Sequence, residues 1–346
     1  MIAYKSTRLV GRHRGTLPVV LSCPHDGGAA APVPERTGAR LPRGCQFTKE
    51  RDLNTRTVTT GVAQRLLELT GEAPYVVFAE FHRKYIDANR SPKCAYEAAA
   101  ARPYYDEYHR TLRGFVDEVR EESGGPGLLF DIHGTAGLED NPADLYLGTD
   151  GDKSIARLRQ IDRHALSRRR GFGGLLAAAG YAIALNAPRL GGGYTIETYG
   201  SSHSNGIDAI QVEIVRELRR NARKRAILID NLARAICGLV GRYVGGGTST
   251  AFQNIELLDA SDQSSIAQLR RRAVRDSCLR LGGHGHRGRL ELRDDRTPPR
   301  RSGVLVLHDE NGKPHFLWVD TQGALRIAPY DPGSDSRAGE IVGGQP

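Results

Sequence analysis

Four residues along the chain have the types and positions that a hydrolytic metal site requires. His25 and His133 each end a short apolar strand, in LPVVLSCPH and LLFDIH, and Glu213 lies near the end of a third strand, DAIQVEIV. Asp52 opens the helix that follows the first of these strands. Because sites in open α/β sheets form where strands end, we expect these side chains to lie together. Imidazoles and a carboxylate are usual ligands of a catalytic zinc ion, and a separate carboxylate serves as general base on a water molecule.

Each of these residues also has a purely structural interpretation. A histidine at a strand end is commonly a packing residue, Asp52 could cap the helix that begins there, and Glu213 could pair with one of the many arginines. Asp131 lies two residues before His133 on the same strand face, where it could orient the imidazole or cap a neighbouring helix. The combination, rather than any single residue, therefore favours a metal site.

The segments around these residues alternate between strand-like and helix-like patterns. Further strands are predicted over 73–81, 143–148 and 181–186, and helices over 50–69, 102–122, around 152–170 and roughly 219–243. Such alternation predicts an α/β layered sheet.

The last hundred or so residues differ in composition from the rest. GGGTST (245–250) is typical of a linker, and 303–320 has the pattern of a hairpin that turns at Asn-Gly. The tail from Tyr330 is predicted to be disordered. We therefore predict a catalytic domain over 1–244, and over 245–346 a linker and a small α+β appendage with a disordered C-terminal tail.

The chain is basic, with a formal net charge of +9. Its basic clusters, at 168–170, 216–225 and 269–275, lie beside acidic residues or at helix ends, so solvated helix faces are favoured over nucleic-acid binding. There is no apolar run of transmembrane length, and the N-terminus lacks the apolar core of a secretory signal. We expect a cytoplasmic protein without a membrane or nucleic-acid partner.

The five cysteines are widely scattered and include no C-x-x-C pair. This pattern predicts reduced thiols with mainly structural roles, rather than a disulfide framework or a thiolate zinc site.

The order of short motifs is similar to that of the N-formylglutamate amidohydrolase family. The matching pieces span about residues 17–216 and are LSCPHDGG, RDLNTRTV, FHRKYIDANRSP, YYDEYHRTL, LLFDIHG, DLYLGTDGD, LGGGYTIETYG and DAIQVEIV. The resemblance implies a zinc carboxypeptidase-like (phosphorylase/hydrolase-like) fold, with a mixed, mostly parallel sheet and helices on both faces. It also implies zinc-dependent hydrolysis of a linear amide bond in an N-acyl amino acid.

The same resemblance implies roles for individual residues. His25, Asp52 and His133 would hold the zinc ion, with Glu50 as the competing choice for the carboxylate ligand. Glu213 would be the general base that activates water and then passes the proton to the leaving amine.

Further motif residues are implied to bind the substrate. Asn89 and Arg90, in DANR, would clamp the substrate carboxylate, which a planar guanidinium matches with two parallel hydrogen bonds. Arg83 would reach a second carboxylate or is simply a surface charge, and Asp87 would orient Arg90.

Tyr194 and Thr195 follow the glycine run of LGGGYT and could line the pocket or close over it. A tight turn is an equally good explanation of that run. Tyr108 and His109, on a helix, are interpreted as packing residues or as residues that support the site from behind.

Near the implied ligands the sequence departs from the family pattern. Asp26 follows His25 where a small residue is usual, and Gly134 replaces the usual Ser after His133. These changes leave the implied ligands in place and leave the substrate open.

Three alternatives remain beside the amidohydrolase. A carboxypeptidase-like hydrolase of a peptide or modified side chain would need the same arginine, and a non-catalytic binding protein could retain the same fold. A nucleic-acid binder driven by charge is the third. The presence of all four ligand and base residues favours an enzyme, with an N-acyl amino acid or a short peptide as its small-molecule partner.

Overall fold

The computed structural model describes residues 1–122, 126–244 and four short strands between residues 305 and 341. The chain divides into two compact units, Met1–Glu256 and Leu257–Pro346. The predicted division at 244/245 stays a prediction. Within the described ranges, every helix is too short or too polar to cross a bilayer.

The first unit is built on one eight-stranded sheet with the order β1-β2-β4-β3-β5-β8-β6-β7. Its strands are β1 Lys5–Thr7, β2 Val10–His13, β3 Leu17–Cys23, β4 Pro74–Ala79, β5 Leu128–Thr135, β6 Leu145–Gly148, β7 Ile183–Leu185 and β8 Asp208–Val215. The four central strands, β4-β3-β5-β8, run parallel, and β2 and β6 flank them antiparallel. Because the central strands are covered on both faces, β3 and β4 are almost continuously apolar, whereas β5 and β8 also carry polar residues.

Helices cover both faces of this sheet. They are α1 Thr55–Thr70, α2 Pro92–Ala95, α3 Arg102–Glu122, α4 Ala156–Ile161, α5 Phe172–Ala178, α6 Tyr194–Tyr199, α7 Arg216–Arg220 and α8 Ala222–Tyr243. One core cluster joins α1, α5 and α8 to the sheet, and a second joins α3 and α6 to the opposite face. The predicted α/β class, with a mixed, mostly parallel sheet and helices on both faces, is confirmed.

The alternation of side chains along β5 determines which face carries the polar residues. Phe130 and Ile132 pack in the cluster with α1 and α8, whereas Leu129 packs in the cluster with α3. Since side chains on a strand alternate between faces, Asp131 and His133 follow Leu129 onto the α3 face. The polar end of β5 therefore points away from the larger apolar cluster.

Three of the predicted helices have different boundaries in the structure. The helix expected over 50–69 begins only at Thr55, because Asn54 before it has the left-handed backbone conformation (φ 70°). The helix expected around 152–170 is only α4, because the Asp162 carboxylate accepts hydrogen bonds from the backbone N–H of His164 and from Arg168, which stabilises a turn instead. The helix expected over 219–243 is divided into α7 and α8 at Asn221, whose side chain accepts from the N–H of Lys224 and caps α8.

The described part of the second unit is a four-stranded antiparallel sheet with the order β12-β11-β10-β9. Its strands are β9 Leu305–His308, β10 Pro314–Val319, β11 Leu325–Ala328 and β12 Glu340–Ile341. The hairpin pairing predicted over 303–320 is confirmed by β9 and β10, although its turn lies outside the described residues. β12 lies in the tail for which disorder is predicted. The other residues of that tail lie outside the described residues.

Cys45 and Cys94 form a disulfide, so the prediction of reduced cysteines is wrong for this pair. It joins the segment between β3 and α1 to α2, with a sequence separation of 49. Cys23 and Cys237 are free thiols, as predicted, and Cys278 lies outside the described residues. Such a pairing leaves no spacing signal in the sequence, because it depends on how two irregular segments meet.

Replacing Cys45 or Cys94 by Ser should lower the free energy of unfolding of the oxidised protein by about 2–4 kcal/mol, since the crosslink restricts the unfolded chain. Urea unfolding with and without dithiothreitol measures this. Wild type and the control Cys237→Ser should both lose stability on reduction, whereas Cys45→Ser should not. A wild-type unfolding curve that dithiothreitol leaves unchanged would contradict the disulfide.

Candidate metal centre

Three side chains from three separate segments converge in the interior of the first unit. His25 follows β3, Asp52 precedes α1, and His133 lies in β5. The Nδ1 atoms of His25 and His133 lie 3.4 and 3.3 Å from Asp52 Oδ2, and one ligand atom from each residue lies within 4.8 Å of the others. All three side chains are buried. Glu50 is exposed and bonded to Thr48, so Asp52 is the carboxylate that lies beside the histidines.

The far nitrogen of each histidine is held by another carboxylate. His25 Nε2 lies 2.7 Å from Asp87 Oδ1, and His133 Nε2 lies 2.7 Å from Asp131 Oδ2. An ionised carboxylate can only accept hydrogen bonds, so the ring nitrogen that faces it must donate one. In a neutral ring the proton is therefore on Nε2, and Nδ1 carries a lone pair. His25 Nδ1 is buried and has no hydrogen-bond partner among the described residues. Two nitrogen lone pairs and a carboxylate oxygen thus face one another, which suits a divalent cation.

The pKa values of the cluster reflect its negative charge. Burial alone would raise the pKa of Asp52, but the neighbouring imidazoles of His133 and His25, when protonated, bring it well below its usual value. Burial alone would lower the pKa of His133, but the charges of Asp131 and Asp52 bring it well above the usual value. The residues around the histidines therefore stabilise positive charge at this position.

Glu213 lies beside His133 on the neighbouring strand, β8, where the two residues are paired in register. The side chain is 8% exposed, and its Oε1 accepts a hydrogen bond of 3.2 Å from Gln211 Nε2. Burial raises its pKa to about 7, although the charge of His133 lowers it. A carboxylate with this pKa can both take up and release a proton near neutrality.

Asp26, the unusual neighbour of His25, belongs to the start of α1. Its Oδ2 accepts from the backbone N–H of Arg56 at 2.9 Å, and its Oδ1 lies 3.1 Å from Arg51. A carboxylate is stabilised there by the free N–H groups and the dipole of the helix. The capping role considered for Asp52 is therefore filled by Asp26, while the Asp52 carboxylate accepts from the Gly134 N–H instead.

Arg83 lies between the two carboxylates that contact His25. Its Nε donates to Asp87 Oδ2 at 2.9 Å, and its NH1 is 4.0 Å from Asp52 Oδ1. Asp87 is fully buried, and Arg83 and His25 hold its pKa well below the usual value against the effect of burial. The Asp87 carboxylate thus accepts from Arg83, His25 and the backbone N–H of Asn89, rather than from Arg90 as the sequence suggested.

Asn89 links the metal cluster to the glycine run. Its Nδ2 lies 3.2 Å from His133 Nε2, and its Oδ1 accepts from the Thr195 N–H at 2.8 Å. A Cβ on Gly193 would lie 2.6 Å from Asn89 Nδ2 and 2.8 Å from Gln211 Oε1. The glycine is therefore required by close approach, and α6 begins directly against the site. The Thr195 hydroxyl is buried without a hydrogen-bond partner among the described residues.

Arg90 and Tyr194 lie at the margin of this cluster. Arg90 NH2 donates to Gln46 Oε1 at 3.1 Å, and NH1 donates to the Asn89 carbonyl. The Tyr194 ring packs edge-on against His109, whose Nε2 donates to the Ala88 carbonyl at 3.0 Å. Burial lowers the pKa of His109 to about 4, so the imidazole is neutral and supports the 87–90 segment from behind.

Sequence reasoning passed over two residues that contact this cluster, Gln211 and Arg219. The period-two alternation of β8 places Gln211 on the same face as Glu213, which is a usable signal. Arg219 bonds only to backbone carbonyls, and such contacts leave no pattern in the sequence.

Residues 94–219 match the family model FGase, N-formylglutamate amidohydrolase. The matched segment contains His133 and Glu213, whereas His25 and Asp52 precede it. The predicted resemblance to the N-formylglutamate amidohydrolase family is thereby confirmed.

Three solved structures are similar to this chain. N-formylglutamate amidohydrolase from Ralstonia eutropha JMP134 is 18% identical with a TM-score of 0.44, over 63% of this chain and 91% of that one. Gene product Atu2144 from Agrobacterium tumefaciens is 16% identical with a TM-score of 0.48, over 67% and 94%. Bacteriophage poly-gamma-glutamate hydrolase is 14% identical with a TM-score of 0.36, over 69% and 91%. A search of curated proteins finds no match.

Replacing Asp131 by Asn should weaken the binding of Zn²⁺ or Co²⁺ by about 10–100-fold, because His133 loses the carboxylate that orients it and increases its basicity. Titration of the metal-free protein with Co²⁺, followed by absorption, measures the change. Ser22→Ala is the matched control, since it removes the 2.5 Å hydrogen bond from Ser22 to Asp131 but keeps the carboxylate. Equal affinities for the Asn variant and the control would contradict this role of Asp131.

Proposed function

We propose that this protein is a metal-dependent amidohydrolase that cleaves a linear amide bond in an N-acyl amino acid, such as an N-formylglutamate-like compound. The observation that carries the proposal is the convergence of His25, Asp52 and His133 on one buried point, with Glu213 beside it. The family match over 94–219 supports the hydrolase class. We also propose a small-molecule partner, rather than a membrane or a nucleic acid. The cytoplasmic location stays a prediction, and the Cys45–Cys94 disulfide counts against it because disulfides are rare in the cytosol.

His25, Asp52 and His133 would hold the metal ion, for which we propose zinc because nitrogen and carboxylate ligands with an open position suit its catalytic sites. A zinc ion held by these residues would polarise the acyl carbonyl and lower the pKa of a water molecule. Asp87 and Asp131 keep the two Nδ1 lone pairs directed at the ion by accepting the Nε2 protons.

Glu213 is the proposed general base. It takes the proton from water as the oxygen attacks the carbonyl carbon, and then passes that proton to the nitrogen of the leaving amine. A nearby cation lowers the pKa of a carboxylate. A bound ion would therefore bring the pKa of Glu213 below about 7, so that the carboxylate is ionised and acts as a base at neutral pH. Gln211 keeps the carboxylate in place by its hydrogen bond.

Arg83, Asn89 and Arg90 are the proposed binding group for the carboxylate of the amino-acid half, with Tyr194 and Thr195 lining the pocket. Of these residues, Arg83 is the best supported as a carboxylate-binding group, because it is next to Asp52 and its charge faces Glu213. Asn89 is already bonded to Thr195, so its contribution would be to place α6 against the substrate.

Metal analysis of the purified protein, paired with a hydrolysis screen, tests the proposal as a whole. We expect stoichiometric zinc, loss of activity on chelation, and release of free amino acid from N-formyl or N-acetyl amino acids. Short peptides in the same screen test the carboxypeptidase-like alternative. Absence of stoichiometric metal would refute the proposed centre, and metal without any hydrolysis would favour a non-catalytic binding protein.

Glu213→Gln should retain the metal and lose roughly 10²–10⁴-fold in kcat, the usual contribution of general acid–base catalysis. The same substitution at Glu217, which is exposed on α7, is the matched control and should leave kcat unchanged. Steady-state kinetics and metal content are measured on the same preparations. Full turnover by the Gln variant would exclude Glu213 as the base.

A further inference from the structure

We propose that Arg219 is a positioning residue that fixes the metal ligands and the general base relative to one another. The inference rests on the proposed function and concerns a residue on α7. Among the described residues, it forms no hydrogen bond or ion pair with the predicted substrate-binding side chains. Its side chain is only 5% exposed.

The guanidinium of Arg219 donates to three backbone carbonyls from three segments. Its NH1 donates to the Leu53 carbonyl, its Nε to the Ile214 carbonyl at 2.9 Å, and its NH2 to the Thr135 carbonyl at 3.2 Å. Leu53 directly follows Asp52, Ile214 directly follows Glu213, and Thr135 ends the strand that carries His133. The Arg219 side chain is thus bonded to the segment that carries Asp52, the strand that carries Glu213 and the strand that carries His133.

Arginine is the side chain that can make these three contacts at once. Its planar guanidinium carries five N–H donors in a fixed arrangement, whereas lysine has a single nitrogen. Buried carbonyls need hydrogen-bond partners, so removing the guanidinium would leave these groups unpaired. The segments would then be free to shift toward other partners.

Gly134, the residue after His133, leaves the space that the Arg219 guanidinium occupies. A Cβ at residue 134 would lie 2.3 Å from Arg219 Cζ and 2.5 Å from its Nε. The guanidinium cannot easily give way, because its three carbonyl contacts hold it. Glycine is therefore the residue that fits beside a buried Arg219.

The charge of Arg219 also faces the site. Burial lowers the pKa of Arg219, but the carboxylates of Asp52, Glu213 and Asp26 oppose this effect. The guanidinium stays protonated, as arginine does in proteins, and so balances part of the negative charge behind the metal cluster.

Metal affinity and kinetics of Arg219→Met, Arg219→Lys and the exposed control Arg220→Met test the proposal. For Arg219→Met we expect Co²⁺ affinity to fall about 10–100-fold, as when other outer supports of metal ligands are removed. We also expect kcat to fall with KM nearly unchanged, because Arg219 lies behind the site. Arg219→Lys should recover part of both losses. Co²⁺ affinity and kcat equal to those of Arg220→Met would overturn the proposal.

A second pair of variants tests the contact with Arg219 left in place, in case Arg219→Met does not fold. Gly134→Ala should reduce Co²⁺ affinity by displacing the guanidinium, whereas Gly114→Ala, where nothing lies within 4 Å of the added Cβ, should leave it unchanged. Equal Co²⁺ affinities for these two variants would overturn the proposed contact. Because Co²⁺ affinity does not depend on the substrate, a failed hydrolysis screen would refute the proposed function and leave this comparison valid.

Discussion

Repulsion among three buried electron-pair donors is the constraint on which the first unit depends. His25, Asp52 and His133 face one another with Nδ1 to Oδ2 distances of 3.3–3.4 Å, and none of them is exposed enough for bulk water to screen the contact. Such an arrangement is unfavourable unless a proton or a cation lies among the donors. Asp87 and Asp131 add further negative charge behind the histidines, so the surroundings strengthen the requirement for positive charge.

The sheet meets this constraint by bringing distant segments to one edge. β3 and β5 are parallel neighbours, so the ends that carry His25 and His133 lie side by side, and β8 continues the series with Glu213 opposite His133. The loop to α1 supplies Asp52, and Asp26 holds the first turn of that helix. On the opposite side, the Ala88 contact of His109 on α3 supports the segment that carries Asp87 and Asn89. Regular elements thus determine the position of the cluster, while irregular segments supply its remaining polar groups.

Much of this arrangement can be predicted from the sequence, because strand ends carry local signals. The apolar runs before His25 and His133, and the alternation in QVEIV, identify three of the four central residues without any structural information. The choice between Asp52 and Glu50 depends on where an irregular loop turns, which spacing cannot decide. The same reason explains the Cys45–Cys94 disulfide and the role of Asp26, which join separate irregular segments, and the Arg83 contact of Asp87, which depends on how one irregular segment folds back on itself. The contacts of Arg219 are the hardest to predict from the sequence, since its partners are main-chain carbonyls that any residue could provide.

Both histidines present Nδ1, rather than Nε2, to the cluster, and this choice limits how the centre can vary. Nδ1 is the ring nitrogen closer to the main chain, so its position follows the backbone with little freedom from side-chain rotation. The far nitrogens, each fixed by a carboxylate, remove the rotation that remains. The space between the donors is therefore defined by the spacing of β3 and β5 themselves. Ions of different size would have to be accommodated mainly by movement of the His25 and Asp52 segments, because His133 is the ligand of the three that lies within a strand of the parallel core.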